Sequence, residues 1–516
     1  HQLQLQVENT VGNPTGIYAG NPKGVTVTAT EVNILTKGKE GGNSLTNAIQ
    51  LDPPKALGLP ANRAMQLTVT GNTNISMTGG LGGNAIAIQK SDRFGEKSYE
   101  TSGTTRIRIN GDLTVAGARS DQWGIPLNRT NVLSRFNNAG ILTQVDGSEV
   151  VVGKKTNMTV YGNGVTTNAN GSRVLLSGGG HITVPAGTKY SYYALAAYKG
   201  SIFMNMGDNG TTPGNGKSPL LMEDVQLDGD LFALPQGQLN VALMTNQSYL
   251  HGLVDSGGTA NMYLQNGAKW LNEGRNARYY QDDEDIGAGT VQKVGGKSVY
   301  TAKSHVTNLF GGTSEAARGI LYQKDVSPIT IDNYSGHAAA IYRHNPAAPT
   351  AIQGGGIVIG NAVGTENVFT LFTDANGVTA ANQDNVLNAL AGKLTYKNYT
   401  DGKLTGKLAI GEGLTTSSIH KDITFRTEQG SFDGNVTPPS NEQTKTKFTA
   451  QLTQKDVPEY KTANVEPTPG NYKFTKDTKI AHASFNGAIY ASAFPDRPIQ
   501  VDASERQLTL EGSGSG

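Results

Sequence analysis

The densest group of chemistry-bearing side chains is the run from Arg278 to Asp285, which reads Arg-Tyr-Tyr-Gln-Asp-Asp-Glu-Asp. Consecutive carboxylates suit a hard cation such as Ca²⁺, which prefers oxygen ligands. The run lacks the alternating acidic spacing that wraps one ion, so a solvated loop is favoured over a Ca²⁺ site. The two tyrosines offer flat amphipathic surfaces of the kind that contact protein or glycan partners. The predicted partner-binding residues are Arg278, Tyr279, Tyr280, Asp282, Asp283 and Asp285.

Other familiar catalytic or metal-binding groups are sparse in the sequence. The chain has no cysteine, which excludes disulfides, thiolate metal sites and cysteine nucleophiles. The closest of its 8 histidines are His337 and His344, at opposite ends of an extended segment and too far apart for one ion. We therefore predict ordinary surface or turn histidines, no metal site and no cofactor.

Aromatic residues cluster in a second place, between positions 190 and 198. Tyr190, Tyr192, Tyr193 and Tyr198 fall close together there. Such rings either hold a glycan or stack between layers of the fold. Stacking is the favoured interpretation.

Composition narrows the class of protein. The 516 residues include 66 Gly and 16% charged residues, so turn residues separate many short apolar runs. This is typical of an all-β chain. A formal net charge of +1 argues against nucleic-acid partners. No stretch of the sequence approaches the roughly 20 apolar residues that span a bilayer, so we expect no membrane contact by this chain.

The apolar runs alternate with period two, as in Leu67-Thr68-Val69, Ile107-Arg108-Ile109 and Leu113-Thr114-Val115. Two units also align twenty positions apart. Ala242, Met244, Asn246, Ser248 and Leu250 fall on Met262, Leu264, Asn266, Ala268 and Trp270. Short strands repeated at this spacing predict a parallel β-helix, with roughly 20 to 25 residues per coil and on the order of 20 coils.

Other segments mark faces and interruptions of the solenoid. Small and aliphatic strands recur at 85–88, 194–198, 338–342 and 488–491, which indicates one recurrent, closely stacked face. Charged or aromatic stretches at 91–104, 119–138 and 276–297 are predicted loop insertions. Thr379 to Leu394 is the one predicted helix, with Val386, Leu387, Leu390 and Leu394 on one face.

The predicted domain organisation follows from these patterns. Residues 1–436 form a β-helix module, 437–471 an extended excursion or linker, 472–511 further coils, and 512–516 a linker of Gly and Ser. Ile17-Tyr18-Ala19 recurs as Ile489-Tyr490-Ala491, and residues 1–6 resemble residues 506–511. We therefore expect a segment of a longer, processed precursor, in which 472–511 begins a next module.

The stretch from Leu239 to Gly252, followed by Asn261 to Trp270, resembles the passenger domains of bacterial type V autotransporters of the pertactin-like and AIDA-like kind. Each coil reads as an apolar strand, a polar Asn or Ser turn, then Leu or Trp. The match covers about Leu239 to Glu273. The resemblance implies a right-handed parallel β-helix, export to the cell surface, and adhesion or self-association.

The favoured function is a non-enzymatic adhesin module that mediates attachment, aggregation or biofilm formation. Its expected partners are a host or bacterial surface protein or glycan, or another rod of the same kind. Its expected location is the bacterial cell surface, anchored to the outer membrane, or the secreted fraction.

Two alternatives stay open. One is a β-helical polysaccharide lyase or hydrolase, which needs converging acids such as Asp112, Asp146, Asp224 or Asp228. The other is a passive structural spacer without a ligand.

Overall fold

The computed structural model of the chain describes residues 1–9, 15–20, 26–39, 46–53, 64–80, 83–89, 104–117, 139–185, 193–207, 220–274, 287–398, 400 and 402–411, and beyond these the backbone of strands alone. The fold is nearly all-β, with 64% strand, and is a right-handed parallel β-helix, as predicted. It divides into two compact units, His1–Gly312 with Ala316–Ser327, and Thr313–Glu315 with Pro328–Gly516. Within the described ranges, no helix is long and apolar enough to cross a membrane.

The strands of the first unit follow one another around the coil, and most are short, whereas Asn163–Leu176, Tyr193–Met204 and Asp230–Leu243 have 14, 12 and 14 residues. They are β1 (Gln2–Asn9), β2 (Thr15–Ala19), β3 (Thr26–Ala29), β4 (Glu31–Gly38), β5 (Asn47–Leu51), β6 (Gln66–Val69), β7 (Thr73–Thr78), β8 (Ile86–Ile88), β9 (Arg106–Ile109), β10 (Leu113–Ala116), β11 (Ala139–Thr143), β12 (Glu149–Val152), β13 (Thr156–Thr159), β14 (Asn163–Leu176), β15 (Gly180–Thr183), β16 (Tyr193–Met204), β17 (Val225–Asp228), β18 (Asp230–Leu243), β19 (Tyr249–His251), β20 (Val254–Ser256), β21 (Thr259–Leu264), β22 (Lys269–Asn272), β23 (Thr290–Val294), β24 (Lys297–Thr301), β25 (Ser304–Phe310) and β26 (Gly319–Gln323).

Parallel pairing sorts these strands into three faces of one coil. Face A is the ladder β1-β4-β7-β10-β13-β15-β17-β19-β22-β26. Face B runs β2-β5-β8-β11 and continues through the first halves of β14, β16 and β18 to β20. Face C runs β3-β6-β9-β12, through the second halves of the same three strands, to β21 and β25. The chain visits A, B and C in turn.

Inward-pointing aliphatic side chains stack in rows along the axis. On face C, one such row joins Leu67, Ile107, Val150, Val174, Ile202 and Leu239, each at most 1% exposed. Full burial of one such side chain contributes roughly 1.5–3 kcal/mol. The alternating runs of the sequence therefore point their apolar residues into the core, as predicted.

Coil length varies much more than the sequence pattern indicated. Tyr249 pairs with Lys269 in the next coil, twenty positions on. Lys269 pairs with Ile320, fifty-one positions on, because the antiparallel hairpin β23–β24 and its flanks are inserted between them. The predicted coil length of 20 to 25 residues is thus wrong for many coils. In its described part, face A of the first unit contains ten strands.

The predicted twenty-residue alignment is right in one strand pair and wrong by one position in the other. Leu250 pairs with Trp270, as predicted. Ala242, however, pairs with Tyr263 rather than Met262, so β18 and β21 are offset by twenty-one positions. The turn before β22 has one residue fewer, which changes the offset between the two strand pairs.

The small and aliphatic strands lie on one face where the first unit contains them. Ala85–Ile88 ends in β8 and Ala194–Tyr198 lies in β16, both on face B. A Cβ added at Gly164 would lie 2.3 Å from the carbonyl oxygen of Ala194, so neighbouring coils approach closely here. This confirms the predicted stacking face in the first unit.

Polar ladders supplement the apolar rows. Asn261 donates to Asn240 at 2.9 Å and accepts from Asn308 at 2.7 Å, so three successive coils share one amide ladder. On the outside of face C, Glu149 lies between Arg106 at 2.9 Å and Arg173. These contacts hold adjacent coils in register, because a slip by one residue would break every one of them.

The second unit begins with long strands and contains the single described helix. Its elements are β27 (Ile329–Asn345), β28 (Ala348–Gln353), β29 (Ile357–Thr373), α1 (Gln383–Ala391), β30 (Leu394–Tyr396), β31 (Thr405–Ile410), β32 (Ile419–Ile423), β33 (Ser431–Phe432), β34 (Val436–Thr437), β35 (Phe448–Leu452), β36 (Tyr460–Val465), β37 (Gly470–Phe474), β38 (Thr478–His482), β39 (Ile499–Asp502) and β40 (Leu508–Gly512).

Here β27 pairs in parallel with β29, and β29 with β30 and β31. Helix α1 lies within the predicted 379–394 segment and buries Val386, Leu387 and Leu390, as predicted, whereas Leu394 begins β30. The segment 437–471 contains β35 and β36, which pair antiparallel. The predicted domain boundaries stay predictions.

Candidate functional site

Face A of the first unit carries two outward-pointing rows of side chains, which we call the face A outer rows. The first row contains Gln4, Asn33, Asn74, Thr114, Asn157, His181, Gln226, Tyr249, Lys269 and Ile320. The second row contains Gln6, Leu35, Ser76, Ala116, Thr159, Thr183, Asp228, His251, Leu271 and Tyr322. With strands about 4.8 Å apart, ten strands extend roughly 43 Å.

The outer rows exist because the strands of face A alternate strictly. Ile34 and Ile75 point into the core and are each 3% exposed. Their neighbours Asn33 and Asn74 therefore point outward, since successive side chains of a strand lie on opposite sides of the sheet. Parallel pairing then brings equivalent positions of successive coils into line.

A groove of about 630 Å³ lies over the first four strands of face A. Its lining residues are Gln4, Leu5, Gln6, Asn33, Ile34, Leu35, Asn74, Ile75, Ser76, Thr114 and Ala116. Asn74 donates to Asn33 across the strands at 2.9 Å. We call this feature the amide groove.

The lining of the amide groove is neutral and mixed: six of its eleven residues carry amide or hydroxyl groups and five are apolar. Each Asn or Gln side chain offers two N–H donors and a carbonyl acceptor, and Ser and Thr offer hydroxyls. None of the lining residues is ionisable. The groove can therefore bind a ligand that presents alternating donors and acceptors, but it supplies no acid, base or nucleophile of its own.

Titratable groups of the outer rows meet further along the same face. His181 Nε2 lies 2.7 Å from Asp228 Oδ2, and the Tyr249 hydroxyl donates to the same carboxylate oxygen at 2.7 Å. The Thr183 hydroxyl lies 3.1 Å from His181 Nε2. The side chain of Asp228 is 18% exposed and that of His181 is 43% exposed, so solvent reaches the histidine. We call this group the His-Asp-Tyr cluster.

A second pair follows on the next coils. His251 Nε2 lies 3.0 Å from Glu273 Oε2, and Lys324 Nζ lies 4.0 Å from the same oxygen. The Glu273 side chain is 47% exposed, so water screens both contacts. This pair contributes little to stability.

The acids that the enzyme alternative required do not converge on one another. Asp112 accepts from the backbone of Lys155 at 3.0 Å, and Asp146 accepts from the backbone of Asn170 at 3.1 Å. These are contacts between turns of successive coils. Of these four acids, Asp228 is the one whose recorded contacts are with titratable side chains, those of His181 and Tyr249.

The fourth acid, Asp224, also makes a turn contact. It accepts from the Thr245 hydroxyl at 2.6 Å. Among the described residues, no group of three or more His, Asp or Glu side chains is arranged to hold a metal ion.

Several predicted site residues fall elsewhere. The predicted partner-binding loop, residues 278–285, lies outside the described residues. The prediction of a surface or turn histidine is wrong for His344, which is buried at 6% exposure. Its Nδ1 lies 2.7 Å from the Thr373 hydroxyl and its Nε2 lies 2.6 Å from the carbonyl oxygen of Asn376. It anchors the end of β27 to the turn after β29.

The tyrosines near position 193 stack within the fold. The Tyr193 ring lies 4.6 Å from that of Phe232 at an interplanar angle of 11°, and the Tyr198 ring lies 5.6 Å from it. The stacking interpretation is confirmed for these two residues. Tyr190 and Tyr192 lie outside the described residues.

Sequence reasoning missed the amide groove and the His-Asp-Tyr cluster. The polar residue at the centre of each Leu-x-Val or Ile-x-Met run was the available signal, because it must point outward. The sequence does not show which runs are neighbours, since His181, Asp228 and Tyr249 come from three separate coils. Stacking alone brings them together.

No protein-family model, no curated protein and no solved structure matches this chain. The fold is that implied by the resemblance to autotransporter passenger domains, a right-handed parallel β-helix.

Proposed function

We propose that this chain is a non-enzymatic binding module of a bacterial surface adhesin. The amide groove is the observation that carries the proposal. It places neutral amide and hydroxyl side chains of four adjacent strands on one solvent-facing surface, and it contains no ionisable residue. Such a surface is suited to binding and not to acid-base chemistry.

The ligand class that best fits this surface is a neutral glycan. Adjacent sugar hydroxyls present donors and acceptors at close spacing, which matches amide side chains that offer both. Coil-to-coil repetition of about 4.8 Å lets a linear chain of sugars meet equivalent groups on successive strands. An acidic glycan is disfavoured because the groove offers no cation to pair with its carboxylates.

Binding at one groove is expected to be weak. Each neutral hydrogen bond contributes a net 0.5–1.5 kcal/mol or so, because it replaces a bond to water. Attachment of a cell would come from many copies that engage together, since linked sites bind at high effective concentration. This mechanism fits the attachment, aggregation or biofilm formation implied by the autotransporter resemblance.

The test compares groove and control variants of the purified chain on beads at high density. Bead binding to bacterial and host cells and to an array of neutral and acidic glycans is measured. Asn33→Ala with Asn74→Ala removes two hydrogen-bonding side chains, so affinity for the glycan should fall about 5- to 150-fold. The matched control replaces two exposed asparagines of helix α1, Asn385→Ala with Asn388→Ala, and should bind like the parent.

Three outcomes would count against the proposal. Equal binding by groove and control variants would remove the groove from the binding site. Selective binding of acidic glycans would contradict its neutral chemistry. Beads that bind neither cells nor glycans would favour a passive spacer.

The His-Asp-Tyr cluster favours a second candidate, a polysaccharide lyase or hydrolase. A histidine held 2.7 Å from a carboxylate, beside a tyrosine hydroxyl, has the geometry of a proton-transfer group on a solvent-facing surface. Incubation with neutral and acidic polysaccharides would reveal new reducing ends or unsaturated products. Product that disappears in Tyr249→Phe and in His181→Ala would establish the enzyme and overturn the non-enzymatic proposal.

A further inference from the structure

The side chains that point into the amide groove form a polar row and a mixed row. Over the groove, the first row consists of Gln4, Asn33, Asn74 and Thr114, and the second of Gln6, Leu35, Ser76 and Ala116. Every side chain of the first row carries an amide or a hydroxyl. The second row adds the methyl groups of Leu35 and Ala116.

Leu35 is the large apolar side chain of this surface. It is 37% exposed, whereas its neighbour Ile34 is 3% exposed, because Leu35 points outward from β4. Its partners in the flanking strands are Gln6 and Ser76, which are both polar. A small apolar surface beside a few placed hydrogen-bonding groups is typical of small-ligand sites.

The asparagine pair beside Leu35 has donors and acceptors left for a ligand. Asn74 donates one N–H to the Asn33 carbonyl oxygen at 2.9 Å. Asn33 directs its own amide nitrogen toward Glu31 at 3.5 Å, which is too long for a strong hydrogen bond. The Asn74 carbonyl oxygen and an Asn33 N–H can therefore pair with one further amide, which supplies one donor and one acceptor.

An acetamido group fits both rows at once. Asn33 and Leu35 are two positions apart on β4, so their Cα atoms are separated by roughly 6.6 Å. An acetamido group that lies across the strand pairs its N–H and C=O with the asparagines and places its methyl against Leu35. A sugar hydroxyl in the same position makes hydrogen bonds but leaves Leu35 in water.

The charged side chains beside the groove favour an uncharged ligand. On one side, Glu31 accepts from Gln2 at 2.6 Å. On the other side, Lys37 lies 3.4 Å from Glu8, which compensates its charge. Glu31 repels an acidic sugar and attracts an ammonium sugar, so the amino form of the glycan is the critical competitor.

We propose that the amide groove binds a linear glycan that carries acetamido groups, with an acetamido methyl against Leu35 and its amide paired with Asn33 and Asn74. This inference rests on the proposed neutral-glycan function and narrows it to N-acetylated sugars. The groove volume of about 630 Å³ suits a short stretch of sugar rings, since small-ligand sites span roughly 300–1,000 Å³.

Three oligosaccharides of equal length and linkage test the inference, because they differ in one substituent of each ring. Chito-oligosaccharide carries acetamido groups, cello-oligosaccharide hydroxyls, and deacetylated chito-oligosaccharide ammonium groups. One buried methyl contributes roughly fourfold in affinity and one added hydrogen bond about 2- to 12-fold. The full chain should therefore bind the acetylated form about 10- to 50-fold more tightly than the hydroxyl form in calorimetry.

Variants of the two rows separate their roles. Leu35→Ser should lower the preference for the acetylated form about fourfold and leave the affinity for cello-oligosaccharide unchanged. In saturation-transfer NMR, the signal of the acetyl methyl should fall in the same variant. The matched control Val363→Ser replaces an exposed strand residue of the second unit and should behave like the parent. Asn33→Ala with Asn74→Ala should weaken binding of both forms.

The outcomes distinguish this inference from the proposed function. Equal affinity for the acetylated and hydroxyl forms, both weakened by the asparagine variant, would overturn the inference and leave the neutral-glycan function standing. Tighter binding of the ammonium form, or a preference that Leu35→Ser leaves intact, would also overturn it. Binding that the asparagine variant does not change would remove the groove from the site, and the proposed function would fail as well.

Discussion

Replacement of Asn261 by alanine is the most informative stability test of this β-helix. Asn261 is 2% exposed and is the middle member of the amide ladder. It donates to Asn240 at 2.9 Å and accepts from Asn308 at 2.7 Å. The substitution therefore removes two buried hydrogen bonds at once.

The expected loss can be worked from these partners. Two hydrogen bonds contribute about 1 kcal/mol each. Asn240 is fully buried, and its Oδ1 keeps only a long contact of 3.4 Å from Gln238 Nε2. An unsatisfied buried acceptor costs a further 1–3 kcal/mol or so, whereas the half-buried Asn308 regains water. The total is at least about 3 kcal/mol.

Amide hydrogen exchange is the appropriate assay, because coils of a solenoid open locally. A loss of about 3 kcal/mol corresponds to roughly 100-fold faster exchange, since each 1.4 kcal/mol is tenfold. The effect should centre on β18, β21 and β25. Chemical denaturation supplies the global value.

Asn74→Ala is the matched control, because Asn74 makes a similar 2.9 Å amide bond to Asn33 but is exposed to solvent. It should cost less than about 0.5 kcal/mol. Equal effects of the two substitutions, or a loss below about 1 kcal/mol for Asn261→Ala, would refute the reasoning that burial makes the ladder strong.

Three further substitutions or conditions test the packing. Gly180→Ala should lower the free energy of unfolding by at least about 3 kcal/mol, because its φ is +125° and the new Cβ would lie 2.0 Å from the Thr156 carbonyl oxygen. The control Gly147→Ala, at φ +68° in open space, should cost about 1 kcal/mol. Glu149→Ala removes the buried carboxylate between Arg106 and Arg173 and should cost about 2 kcal/mol in urea unfolding, less than for a fully buried pair. No loss would show that water already screens the contact. Burial raises the pKa of the Tyr334 and Tyr342 phenols, so the stability they contribute is complete below about pH 10 and is lost as the pH rises further. Absorbance at 295 nm should show these two ionising only as the second unit unfolds, and early ionisation would contradict their burial.

Local physics made much of the fold predictable. Alternation of apolar and polar residues, as in Ile107-Arg108-Ile109, forces one side of a strand inward and the other outward. Helix α1 was predictable from the spacing of Val386, Leu387 and Leu390, although Leu394 begins a strand because β29 offers it a partner.

Register was less accessible from the sequence. The offset of twenty positions is right for Leu250 and Trp270 but becomes twenty-one for Ala242 and Tyr263. A turn that is one residue shorter changes the offset without altering the apolar pattern of either strand. Only pairing between coils decides it.

The sequence by itself determined an all-β chain of alternating strands, because that pattern depends on neighbouring residues along the chain. The tertiary structure alone decided that His181 and Tyr249 share the Asp228 carboxylate and that Gln4, Asn33 and Asn74 line one groove. The reason is physical: loop insertions make the number of residues per coil irregular, so the axial neighbours of a side chain are set by hydrogen bonding between coils and by core packing.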